Sequence, residues 1–101
     1  MQEKRRHFRK PISCAVEFAV AESPRQKGVC RDLSLGGMHV QTLDPAPFGA
    51  NVTVYLQLKG TDAPIALPGI VRWVKADEMG IQFGLLGARE TYALTETLAE
   101  R

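Results

Sequence analysis

The sequence predicts an all-β fold: a six-stranded antiparallel β-barrel with a short C-terminal α-helix. Three observations carry this. Apolar and polar residues alternate through six short stretches, turn-forming residues separate those stretches, and only the segment from Ala88 onward shows helical spacing. At 101 residues, 45% hydrophobic and 24% charged, the chain suits one folded domain and is too short for two independent cores.

Each element follows from its local pattern. Residues 12–20 place Ile12, Cys14, Val16, Phe18 and Val20 at every second position, which is a strand with one buried face. The stretch AESPRQKG gathers turn formers and reads as a hairpin loop, so a second strand runs from about Gly28 to Leu33. Gly36 and Gly37 then mark a tight reversal or bulge whose backbone conformations are closed to other residues. Met38–Thr42 resumes the alternation, and DPAPFGAN is a second loop. Asn51–Leu58, Ile65–Val74 and Met79–Phe83 complete the strands, with KGTDAP and KADE as turns. Residues 88–101 contain good helix formers, with Thr91, Leu94 and Leu98 at helical intervals. Residues 1–11 are expected to be a flexible basic arm, and residues 12–101 the barrel domain with its helix.

Charge is unevenly distributed. Lys4, Arg5, Arg6, Arg9 and Lys10 are five of thirteen basic residues, opposed locally by Glu3 alone, which leaves the opening run at +4; with the whole chain at +2, the remainder is −2. A duplex-binding domain spreads basic residues over a face to neutralise many phosphates, so this local concentration suits a small anion better and argues against a specific nucleic-acid partner. Cys14 and Cys30 belong to no dense framework and read as reduced thiols, which favours a cytoplasmic location; Cys14, on the apolar face of the first strand, reads as a small core residue. No apolar run approaches the roughly 20 residues that span a bilayer, so direct membrane insertion is not expected.

The sequence also argues against an enzyme. Asp32, Ser34 and His39 supply the residue types of a hydrolase triad but crowd together without a nucleophile-elbow sequence. His7, Cys14, Cys30 and His39 lack the close pair spacing of a zinc site, so no metal is expected. Glycine-rich phosphate loops are absent, and no cofactor is called for. Trp73 lies in a strand, where an aromatic is usually core or barrel rim and less often a stacking platform.

Two clusters remain: Arg5-x-x-x-Arg9 in the basic run, and Asp32-x-Ser34-x-x-Gly37 within DLSLGG. Together, in this order and with this strand layout, they resemble the PilZ domain family of bacterial receptors for cyclic di-GMP. In that family an RxxxR motif precedes the first strand and a D/NxSxxG motif lies between the second and third. The stretch GIVRWVKADEMGIQFGLL is similar to the family's closing strand pair, so the resemblance spans nearly the whole chain.

The resemblance implies a ligand site made of Arg5, Arg6, Arg9, Asp32, Ser34, Gly36 and Gly37; Lys4, Arg31 and Trp73 are further candidate contacts by their places in the sequence. The chemistry is consistent with it. Arginine offers forked donors to phosphate and to the guanine O6/N7 edge, and a carboxylate accepts the guanine N1 and N2 hydrogens. Ser34 either bonds phosphate or fixes the local turn, and Gly37 lets backbone approach the ligand. A basic residue before RxxxR, here Lys4, implies that an intercalated ligand pair is favoured over a single ligand.

The expected function is that of a non-catalytic receptor or adaptor, signalling to a protein partner that controls motility, attachment or exopolysaccharide production. The alternative is a PilZ-like interaction scaffold that binds no nucleotide; such members typically lack the two motifs kept here. A single-stranded nucleic-acid binder would show several exposed aromatics for stacking, and most of the seven aromatics here fall in predicted strands.

Overall fold

The computed structural model describes residues 10–57 and 63–99. Six strands, β1 (Lys10–Val20), β2 (Gln26–Leu33), β3 (Gly37–Gln41), β4 (Asn51–Leu56), β5 (Ile65–Lys75) and β6 (Glu78–Phe83), are followed by the helix α1 (Ala88–Ala99). They form a closed barrel in the order β1-β2-β3-β6-β5-β4, every neighbouring pair antiparallel.

Period-two patterning sets which side chains point inward. From β1, Val16 and Phe18 enter the core; from the other strands come Cys30, Leu33, Met38, Val40, Val54, Leu56, Leu67, Val71, Met79 and Ile81. Leu94, fully buried on α1, joins the same cluster with Ala93. The helix thus contributes its apolar stripe to the barrel core and exposes Tyr92 on its other side. Gly87 precedes its first turn and accepts from the Thr91 N–H (3.0 Å), while Glu90 in that turn favours the positive end of the helix dipole.

The expected strands are all present, with shifted ends. β1 starts at Lys10, two residues before the alternation begins, because Pro11 and Lys10 pair with Asp32 and Leu33. β2 starts at Gln26, inside the stretch expected to be loop. Gln26 and Lys27 are exposed, so they give no apolar signal, but they pair with Phe18 and Glu17 of the long first strand. The reversal before them turns on Ala21, which has a positive φ of 51°.

Three one-residue irregularities interrupt the pairing. Between β2 and β3, Cys30 faces Val40 and Asp32 faces His39, which leaves Arg31 as an extra residue. Between β5 and β6, Val71 faces Ile81 and Trp73 faces Gly80, which leaves Arg72 extra. The third lies in β1, between Pro11 and Cys14. Bulges of this kind re-aim the side chains beside them.

Candidate ligand site on the outer face of the barrel

The bulges at Arg31 and Arg72 flank the β3–β6 pair and bring four residues into one cross-strand row: Asp32 faces His39, His39 faces Gly80, and Gly80 faces Trp73. Inward alternation would carry the side chain after Cys30 by two positions back into the core. With Arg31 inserted, Leu33 takes the buried position and Asp32 stays half-exposed.

Contacts along the row are specific. His39 Nδ1 lies 3.7 Å from Asp32 Oδ2, and its Nε2 lies 3.1 Å from Glu78 Oε1. The imidazole therefore stands between two carboxylates. On its other side the His39 and Trp73 rings approach to 5.3 Å between centroids at 56°, a tilted geometry favoured by ring quadrupoles. The indole can lie over β6 because Gly80 has no side chain; a Cβ there would overlap the indole ring at Nε1. Trp73 is 41% exposed. It is thus an outer-face residue, as is Arg72 beside it, whose Nε donates to Gln82 Oε1 (2.6 Å).

The turn joining β2 to β3 is held by Ser34. Its Oγ accepts from the N–H groups of Gly36 and Gly37, each at 3.1 Å, and donates to the Gly37 carbonyl at 3.3 Å. The Ser34 N–H donates to that carbonyl as well (2.9 Å), and the Phe83 N–H donates to the Gly36 carbonyl (2.9 Å). Ser34 is 1% exposed. Of the two roles expected of it, fixing the turn is the one its bonds perform.

Gly37 is required for space, not for an unusual φ. A Cβ there would overlap the carbonyl oxygen of Ile81, so glycine permits β3 to lie close against β6. By alternation Gly37 shares the face of β3 that carries His39, opposite the buried Met38 and Val40. Among the described residues left-handed φ occurs instead at Ala21 (51°), Gly49 (83°) and Ala76 (54°).

Arg5, Arg6, Arg9 and Lys4 lie outside the described residues, so the row contains one half of the expected site. Arg31 is exposed beside Asp32. Sequence reasoning did not single out His39 or Glu78 for this face. The available signal was their placement, since each lies on an outward-facing position of a strand adjoining that of Asp32 or Trp73. Among the described residues no group of His, Cys, Asp and Glu is arranged to hold a metal ion, and no helix is long and apolar enough to cross a membrane.

A second depression, of about 400 Å³, lies between β1, β2 and β4. Arg25 stacks over the Tyr55 ring there at 3.6 Å and pairs with Glu17 at 3.1 Å. Its guanidinium is thus engaged within the chain by both a carboxylate and an aromatic face.

The architecture is thus a small closed barrel with one helix packed against its core through Ala93 and Leu94, and a polar, aromatic row on its outer wall. The PilZ domain profile matches residues 3–99, and the chain belongs to the PilZ domain family. Solved structures agree in fold. The PilZ domain of CeSA from a cellulose-synthesizing bacterium superposes with a TM-score of 0.73 at 24% identity, over 88% of this chain and 92% of that one. The Bacillus subtilis inhibitor of motility MotI/DgrA gives a TM-score of 0.76 at 17% identity, over 96% of this chain and 51% of that one. Escherichia coli YcgR, solved in complex with c-di-GMP, gives 0.74 at 17% identity, over 95% and 45%. The chain thus spans about half the length of the latter two. No curated protein sequence matches it.

Proposed function

We propose that this chain is a non-catalytic cyclic di-GMP receptor, cytoplasmic, in which the nucleotide lies on the outer row between Asp32 and Trp73 and is clamped by Arg5, Arg6 and Arg9. One observation carries the reading: Pro11 is the β1 partner of Asp32. The arginine segment therefore joins the barrel beside the carboxylate it is to cooperate with.

Each group has a role suited to its chemistry. Asp32 accepts from the guanine N1 and N2 hydrogens, and the arginines donate in pairs to phosphate and to the O6/N7 edge. Trp73 offers a stacking surface, Ser34 and Gly36–Gly37 hold the turn that positions Asp32, and Arg31 and Lys4 add peripheral positive charge. Lys4 before RxxxR favours an intercalated pair, whose four negative charges the basic run would neutralise. Closure of residues 3–9 over the ligand creates a new surface, read by a protein partner in motility, attachment or exopolysaccharide control.

The structures of YcgR and of Klebsiella MrkH as c-di-GMP complexes support the ligand class. Titration calorimetry with cyclic di-GMP tests it on the full chain, on Arg9→Ala and on Asp32→Ala. Saturable binding by the native chain, weakened at least tenfold in each variant, is expected. Absence of saturable binding by the native chain overturns the reading in favour of a protein-binding scaffold. Slower amide exchange of residues 3–9 with ligand is the expected signature of closure.

A further inference from the structure

Behind the outer row, the β1–β2 pairing sets the chain's two cysteines directly opposite one another, Cys14 against Cys30. Directly opposed residues of an antiparallel pair have Cα atoms about 4.5–5.5 Å apart, inside the range that a disulfide spans. Both thiols are free and both pack with the core cluster. They differ in access. Cys30 is fully buried, with its S–H also 3.3 Å from the Asp32 carbonyl, whereas Cys14 is half-buried and open to a small solute.

We propose that Cys14 and Cys30 form a peroxide-oxidisable dithiol that closes to an intrachain disulfide across β1 and β2. The accessible Cys14 thiolate attacks the peroxide O–O bond, forming Cys14–SOH and releasing hydroxide. The Cys30 thiol then attacks the sulfenic sulfur; the S–S bond forms and water leaves, carrying the Cys30 proton and the sulfenic oxygen. The two electrons lost by the sulfurs reduce the peroxide, and an external dithiol reverses the change. Cys30 is thus the resolving thiol, held in place before Cys14 reacts.

Position favours this chemistry over simple packing. Two small apolar residues would fill the same volume, but a partly exposed thiol directly opposite a buried one is the arrangement of a resolving pair. Ready protonic poise agrees, since the Cys30 hydrogen bond lowers the Cys14 thiol to about 7. The bond would close beside the irregularity between Pro11 and Cys14, and would fix the strand pair across which Pro11 faces Asp32.

The test is made on the folded full chain with hydrogen peroxide, followed by alkylation and intact-mass measurement. The expected product loses the mass of two hydrogens, takes up no alkyl group and regains two alkylatable thiols after dithiothreitol. In Cys30→Ser the reaction should stop at a Cys14 sulfenic acid that dimedone captures; in Cys14→Ser, Cys30 should remain unmodified. Two alkylatable thiols after peroxide, direct passage of Cys14 to sulfinic acid in the native chain, or a bond between two chains instead of within one, overturns the proposal. None of these measurements involves a nucleotide, so the outcome is independent of ligand binding.

Discussion

The indole of Trp73 occupies the space that any side chain on Gly80 would need. The two residues face one another across β5 and β6, and the indole's position places it against His39 in the same row. Gly80→Ala should therefore drive the ring out toward solvent. Because an exposed ring yields more readily than backbone, the stability cost is expected to be about 1 kcal/mol or less, with a red-shifted tryptophan emission. An emission spectrum equal to that of the native chain would show that the indole does not rest on Gly80.

Gly37 provides the contrast. Its neighbour is the Ile81 carbonyl oxygen, which belongs to the β6 backbone and cannot rotate away. Gly37→Ala must push β3 from β6, and overpacking of this kind costs about 3 kcal/mol. Urea denaturation of the two alanine variants side by side gives the comparison: a Gly37→Ala loss no larger than that of Gly80→Ala would contradict the close approach.

Ser34→Ala removes the acceptor of the part-buried Gly36 N–H and the buried Gly37 N–H. Leaving buried donors unpaired costs about 2 kcal/mol. Faster amide exchange at Gly36 and Gly37, with exchange in β4 unchanged, is the expected accompaniment. Native protection at those two amides would mean the hydroxyl is not their partner.

The thiol pair predicts a pH dependence. The Cys30 thiol, hydrogen-bonded to Cys14, lowers Cys14 to about 7 against the opposing effect of burial, while the same contact together with burial pushes Cys30 up. Between pH 7 and the ordinary thiol value of 9.0, the folded chain has released a proton that the unfolded chain keeps, so stability rises with pH. Above that value the unfolded chain loses both protons and the folded chain retains that of Cys30, so stability falls. Iodoacetamide should modify Cys14 with a rate midpoint near pH 7, and Cys14→Ser should remove the rise. A midpoint at the ordinary thiol value would refute the pairing.

How far the sequence could be read depended on whether a feature repeats or interrupts. Strict alternation through Ile12, Cys14, Val16, Phe18 and Val20 made the first strand plain, and the helix followed from Leu94 and Leu98. Arg31 and Arg72 could not be recognised, because a bulged residue has the same identity as an ordinary exposed strand residue. The one trace of the first was the spacing of buried Cys30 and Leu33, three apart where period two would give two or four. Gly36–Gly37 was legible as a reversal, yet the reason for Gly37 lay in Ile81, far off in sequence. Asp32 and Ser34 stood out by motif, while His39 and Glu78 gained their place only when β2, β3 and β6 were laid side by side.

The closed order of the six strands limits how another protein could pair with them. An open sheet can recruit another protein by main-chain pairing along its free edge, a mode that depends little on sequence. Here β1 pairs with both β2 and β4, and the circuit has no terminal strand. Along the paired strands recognition therefore rests on side-chain identity, so partner choice there can be rewritten by surface substitutions while the hydrogen-bonded frame beneath is left untouched.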